Sequence, residues 1–241
     1  VFIHKFLEIP QFTMSFQPSV QFDPLNSPHP IPWTWVMATL TAIAPDPNPK
    51  LHYYRSQSLV SPDGQYAAYS RIQLQVQPEF SQSRVSSVLF VENLRTGNLQ
   101  AITPASPLAD NPFLSNGMDA AGMISIVIPV SWSKQGDRLL AREFESIFCS
   151  DIASDYAVIV DRTFHQVNTI APTEVDYSNA ILLGWSQADP NQILFRAGMM
   201  GTDIWPLWTV NAAGETAVAQ PHDRPLVFGQ VVSSVWAGPQ G

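Results

Sequence analysis

From residue 51 onward, short runs of β-branched, aromatic and aliphatic residues alternate with turn clusters such as Pro62-Asp63-Gly64 and Thr96-Gly97-Asn98. That punctuation belongs to short strands rather than to helices. Three stretches fall into one frame: Ser58–Arg71, Val130–Arg142, which is one residue shorter, and Leu183–Arg196. Ser61, Ser133 and Ser186 coincide in it, and each is followed by a tight turn and an apolar strand. A second frame unites Val88–Thr103, Ala157–Ile170 and Leu207–Val218, where an apolar strand runs into a polar turn and an alternating strand leads out. Together they predict strand, turn, strand, loop, strand, turn, strand, three times over residues 55–219. The surplus length falls in loops at Gln77–Ser83 and Ala105–Gly122.

Residues 14–50 read differently. Prolines at 18, 24, 28, 30, 32, 45, 47 and 49 impose extended and turn conformations and define an N-terminal arm. Between them, the run from Trp33 to Ala44 reads either as a strand rich in β-branched residues or as a helix of about two to three turns with Pro32 at its first position, and the helix is the expectation. Trp33 and Trp35 are placed to dock the arm on the body. The chain thus divides into a proline-rich arm, 1–50, with a short helix, and a β domain, 51–241. Residues 1–13, which precede Met14, are expected to be an upstream extension, or Val1 a non-Met start codon written literally. Three four-stranded units leave two sheet edges open, and the β-rich stretch Pro225–Trp236 is expected to supply, with the arm, a degenerate fourth unit.

Ser61-Pro62-Asp63-Gly64, three residues, then Ala68-Tyr69, followed by Leu89-Phe90-Val91 and its turn through Asn93-Leu94 to Thr96-Gly97, resembles the repeats of TolB-like, WD-repeat-like β-propellers, and more faintly cyanobacterial proteins of that type. The resemblance covers roughly 165 of 241 residues. It is strongest in the first copy and holds through Ser133–Gly136 in the second; the third departs, with Asp189 in place of glycine. It implies an all-β fold, a partial or small propeller of about three to four four-stranded blades, and a scaffold or protein-binding role. The matched residues are turn and packing residues, so no catalytic position is carried over.

Only 13% of residues are charged, against about 25% in ordinary soluble domains. Strands covered on both faces, or an apolar face left for a partner, would account for that. A net charge of −8, three lysines and singly spaced arginines argue against nucleic acid or an anionic membrane as partner. The apolar run Trp33–Ala44, twelve residues, is too short for a transmembrane segment. Cys149, the single cysteine, cannot form an internal disulfide, which fits a reducing, cytoplasmic setting. It is expected to be a small buried apolar residue.

Candidate chemistry is sparse. No nucleophile elbow, phosphate loop, dinucleotide fingerprint or zinc-helix motif is present. The five histidines form no local pair, so neither metal nor cofactor is expected. Asp151, Asp155 and Asp161 fit no cation loop and read as a solvated loop followed by a strand-end aspartate. Glu143 and Glu145 share one face of a strand, with Arg142 and Phe144 on the other, and read as a water-facing surface. Trp132 and Trp185 occupy one repeat position and predict packing between units. The binding candidates are Trp205 and Trp208 with Met199 and Met200 of the Gly198–Gly201 loop, because aromatic residues and methionine are enriched at interface cores. The resulting expectation is a non-catalytic interaction or scaffold module with a protein partner. The alternatives are a small-molecule sensor or a hydrolase at the propeller mouth, and a homodimer is compatible with the open edges.

Overall fold

The computed structural model describes residues 23–42, 48–103 and 121–240. The expected extension at 1–13 and nearly all of the 105–122 loop lie outside them. Among the described residues there are sixteen strands and one α-helix, an all-β architecture.

The first meander comprises β2 (Ser58–Val60), β3 (Tyr66–Val76), β4 (Arg84–Asn93) and β5 (Leu99–Ile102), each antiparallel to the next, with β1 (Lys50–Arg55) continuing the line of β2 along β3. The second comprises β6 (Met123–Trp132), β7 (Arg138–Ile147), β8 (Ala153–Asp161) and β9 (Gln166–Ile170). The third comprises β10 (Asn179–Ser186), β11 (Gln192–Gly198), β12 (Leu207–Asn211) and β13 (Thr216–Val218). This is the strand succession anticipated from the two frames. The first two meanders join through one parallel register pair, Val85 with Ile124. Ser87 reinforces the seam: its hydroxyl accepts from the Val127 N–H and donates to the Ser125 carbonyl. The third stands in a separate five-stranded sheet, and neither sheet closes on itself.

The aligned serines organise the turns. Ser61 donates to Asp63 and accepts from the Tyr66 N–H; Ser133 donates to Asp137 and accepts from the Arg138 N–H. These are local side-chain surrogates for backbone hydrogen bonds. The third turn carries no such aspartate partner of its own. Ser186 donates instead to Asp223, which also accepts from the N–H groups of Gln187 and Ala188.

The tryptophans link one meander to the next. Trp132 is fully buried, and its indole donates to the Leu59 carbonyl of β2; the Trp185 indole donates to the Trp132 carbonyl of β6. The second meander is therefore packed on both faces. Leu139, Val127 and Val158 meet Leu59 and Leu89 of the first, while Leu140 and Ile159 meet Leu182 and Phe195 of the third. Each such side chain contributes about 1.5–3 kcal/mol on burial.

A third apolar cluster draws Ile72, Ile126, Phe144 and Leu183 from the three meanders against the arm residues Leu25 and Ile31. The anticipated helix forms as α1 (Trp33–Ala42), beginning one residue after Pro32. Its Val36 is fully buried in this cluster; Trp33 packs on Phe144 and Phe148, and Trp35 on Tyr54. The arm is thus docked by its tryptophans.

The C-terminal stretch departs from the expected fourth unit. It is divided into β14 (Pro225–Leu226), paired with β10; a bridge from Phe228 to Trp132 of β6; β15 (Gln230–Val232), paired with β2; and β16 (Gly238–Gln240), paired with β1. It crosses the first strand of the third, second and first meanders in turn, as a clasp. Gly229 permits the crossing. Its φ is +107°, and a Cβ there would lie 2.7 Å from the Val60 carbonyl oxygen and 2.9 Å from the Trp132 ring.

Candidate functional site

The buried charged groups, apart from Asp223 in the third turn, gather at two places. Arg142, on the β7 face turned toward the third meander, is fully buried; its Nη1 donates to Asp23 at 2.6 Å and to the His29 carbonyl at 2.7 Å, and its Nε donates to Asp155 at 2.7 Å. Asp23 also accepts from the N–H groups of Leu25, Ser27 and Ile31, so one carboxylate both folds the arm and ties it to the body. Burial would push the Asp23 carboxyl up, but the hydrogen bond and charge of Arg142 hold it below the usual carboxylate range. Asp155 accepts from the Leu182 N–H of the third meander as well. Burial raises its carboxyl to about 6 against the pull of Arg142. The ring of His29 meets the Leu183 carbonyl at 2.9 Å, and burial lowers its pKa. Every member has a structural partner, and together they join arm, second meander and third meander. Asp155 is thereby corrected: it is not a solvated loop residue but the anchor of a buried ion network. Asp151 is exposed, and Asp161 ends β8, where it accepts from the turn N–H groups of Thr163 and Phe164.

The second place is the opposite face of β7. Glu143 and Glu145 do share a face, but that face is covered rather than water-facing: both are at most 1% exposed. Their register partners are Val127 and Tyr156 for Glu143, and Ser125 and Ser154 for Glu145. Ser125 donates to one oxygen of Glu143, and the other oxygen has no hydrogen-bond partner. Burial first, and the Glu145 charge second, raise Glu143 to about 8, so this group is a neutral acid at pH 7. The Tyr156 hydroxyl is raised as well, by burial and by the two glutamates and Tyr177.

The expected contact residues lie elsewhere. Met199 and Met200, just past the end of β11, are 51% and 53% exposed, and Ile204 on the same loop is 81% exposed. Trp205 is half-buried and rests on Gly198, where a Cβ would lie 2.7 Å from its indole. A glycine at 198 is what lets the ring fold back onto the strand. The structure therefore brings Met199, Met200 and Trp205 together on one loop and adds Ile204, whose isolated position between Asp203 and Trp205 gave no periodic signal. Trp208 is set apart. It is half-buried on β12 against the cluster between the second and third meanders, whereas Trp205 packs on the arm-side cluster.

Cys149 is corrected too. It is exposed in a left-handed turn, φ +62°, after β7, because the strand ends at Ile147 and the chain must reverse. His165, as expected, is an exposed turn residue. Among the described residues, no three His, Cys, Asp or Glu side chains gather to hold a metal, and no helix is long and apolar enough to cross a membrane. No protein-family model matches the chain, and no curated protein matches it.

Proposed function

We propose that this chain is a non-catalytic protein-interaction module whose three meanders are blades of a partial, TolB-like propeller and whose 199–205 loop meets a protein partner. The observation that carries the reading is the loop itself: Met199, Met200 and Ile204 are each more than half exposed within six residues, beside an indole already anchored by Gly198. Pre-anchored aromatics flanked by exposed, adaptable apolar side chains are the composition of interface hot spots. The buried acids favour the same reading over acid–base catalysis, since Glu143, Glu145 and Asp155 are at most 1% exposed.

Ile204→Asp tests this, because a residue 81% exposed accepts a charge at little cost to folding. Immobilised native chain is expected to enrich a defined partner from its own organism's extract, and Ile204→Asp is expected to lose at least tenfold of that enrichment at an unchanged melting temperature. Equal enrichment by the native chain, Ile204→Asp and Met200→Asp would refute the assignment.

A further inference from the structure

A cleft of about 470 Å³ opens where four segments distant in sequence converge: the arm at 28–32, the stretch 56–58 that links β1 to β2 and opens β2, β6 at 128–130, and the clasp at 227–231. Its volume lies in the range of small-molecule sites. The walls are the rings of Pro28, Pro30, Pro129 and Tyr54 and the side chains of Val227 and Val231, with Ser56, Gln57 and Ser58 along one side. Both valines are more than half exposed, so apolar surface is presented rather than consumed by the core.

Two observations define the occupant. First, no described lining residue is Asp, Glu, Lys or Arg, and the two titratable rings are held toward their neutral forms, His29 by burial and the nearby Arg142 charge and Tyr54 by burial. An ion entering the cleft would lose hydration without a free opposite charge to compensate: the neighbouring Arg55 guanidinium is taken up by the Ser56 carbonyl, the Ser58 hydroxyl and the Tyr69 ring, and that of Arg142 by Asp23 and Asp155. Second, β2 is already paired on both sides, by β3 and β15, and β1 by β3 and β16. A peptide therefore finds no free edge on β1 or β2; of the other lining strands, β15 has an open edge only three residues long and β6 carries Pro129, which has no N–H, at the cleft, which leaves little to extend.

We infer that the cleft binds an uncharged, predominantly apolar small molecule, its ring or hydrocarbon part against the prolines and Tyr54 and its polar group toward the 56–58 link. This is a second site, independent of the 199–205 loop. Because the arm and the clasp both form its walls, occupancy stabilises the folded state by mass action.

The test uses the full chain and the neutral fluorophore N-phenyl-1-naphthylamine. Saturable binding of one dye per chain is expected, weakened at least tenfold in both Val231→Asp and Val227→Asp and unchanged in Val218→Asp, an exposed valine on β13 that does not line the cleft. The anionic analogue 8-anilinonaphthalene-1-sulfonate is expected to bind at least tenfold more weakly than the neutral dye. Non-saturable binding, binding indifferent to both cleft variants, an equal loss in Val218→Asp, or equal affinity for the anionic dye would overturn the inference.

Discussion

Arg142→Met is expected to lower the melting temperature at pH 7.5 by on the order of 10 °C. The methionine fills much of the same volume but leaves Asp23 and Asp155, at most 2% exposed, without their shared cation. Breaking a buried ion pair by removing one partner costs about 3–5 kcal/mol, and in a chain of this size each kcal/mol moves the midpoint by roughly 2–4 °C. The loss depends on pH in a defined direction. Without Arg142, the Asp23 carboxyl rises from below its unfolded value and that of Asp155, already at about 6, rises further, so the deficit grows with pH through the carboxylate range for Asp23 and above about 6 for Asp155, and is smallest in acid. Thermal melts of the native chain and Arg142→Met at pH 4.5 and 7.5 check this, with limited proteolysis reporting early cleavage within residues 23–32. A midpoint at pH 7.5 within 1–2 °C of the native chain's would show that the guanidinium is dispensable.

Glu143→Gln is expected to act in the opposite sense, stabilising the protein at and above neutral pH. The Glu143 carboxyl is raised from 4.5 to about 8 in the folded state, so its favourable contribution is complete below the unfolded value. That contribution is lost as pH rises from about 4.5 to 8, with a slope of at most about 1.4 kcal/mol per pH unit. Glutamine is neutral throughout and keeps an oxygen to accept from Ser125. The difference between the two chains in urea-unfolding free energy is therefore expected to be small at pH 4.5 and to reach on the order of 3–4 kcal/mol at pH 8.5, where the native chain carries a buried carboxylate. Asp155, raised to about 6, adds a smaller decline of the same sign to both chains and cancels in the comparison. A constant difference across pH would contradict the buried-acid assignment.

The strand order and the link between meanders were legible because both are written locally. The serine turns at 61 and 133 close on aspartates two and four residues away, and Trp132 and Trp185 each stand one residue before an aligned serine, Ser133 and Ser186. What covers a strand is not local. Alternation along β7 separates Arg142 and Phe144 from Glu143 and Glu145, but it is silent on whether water or protein meets each face, and here protein meets both. A sign was present in the neighbouring strand: the nearly unbroken apolar run Met123–Val130 is the pattern of a strand buried on two sides, and β7 is its partner. The Asp23–Arg142 contact spans 119 positions with no spacing rule to announce it. Asp223 was hidden for a related reason, since it completes a turn belonging to another part of the chain. Low overall charge, which admitted either doubly covered strands or an apolar face awaiting a partner, is accounted for on the first count by the second meander, packed on both faces; the second is what we propose for the 199–205 loop.

That loop carries its own reporters. Met199 and Met200 are half exposed while Met123 is buried, and methionine oxidation follows access. The most direct measurement is therefore the rate of peroxide oxidation at each methionine, read by peptide mass spectrometry, in the free chain and in the complex recovered by capture. Oxidation of Met199 and Met200 is predicted to slow at least fivefold in the complex, with Met123 slow in both states; equal oxidation of Met199 and Met200 with and without the bound partner would contradict the assignment of this loop as the interaction surface.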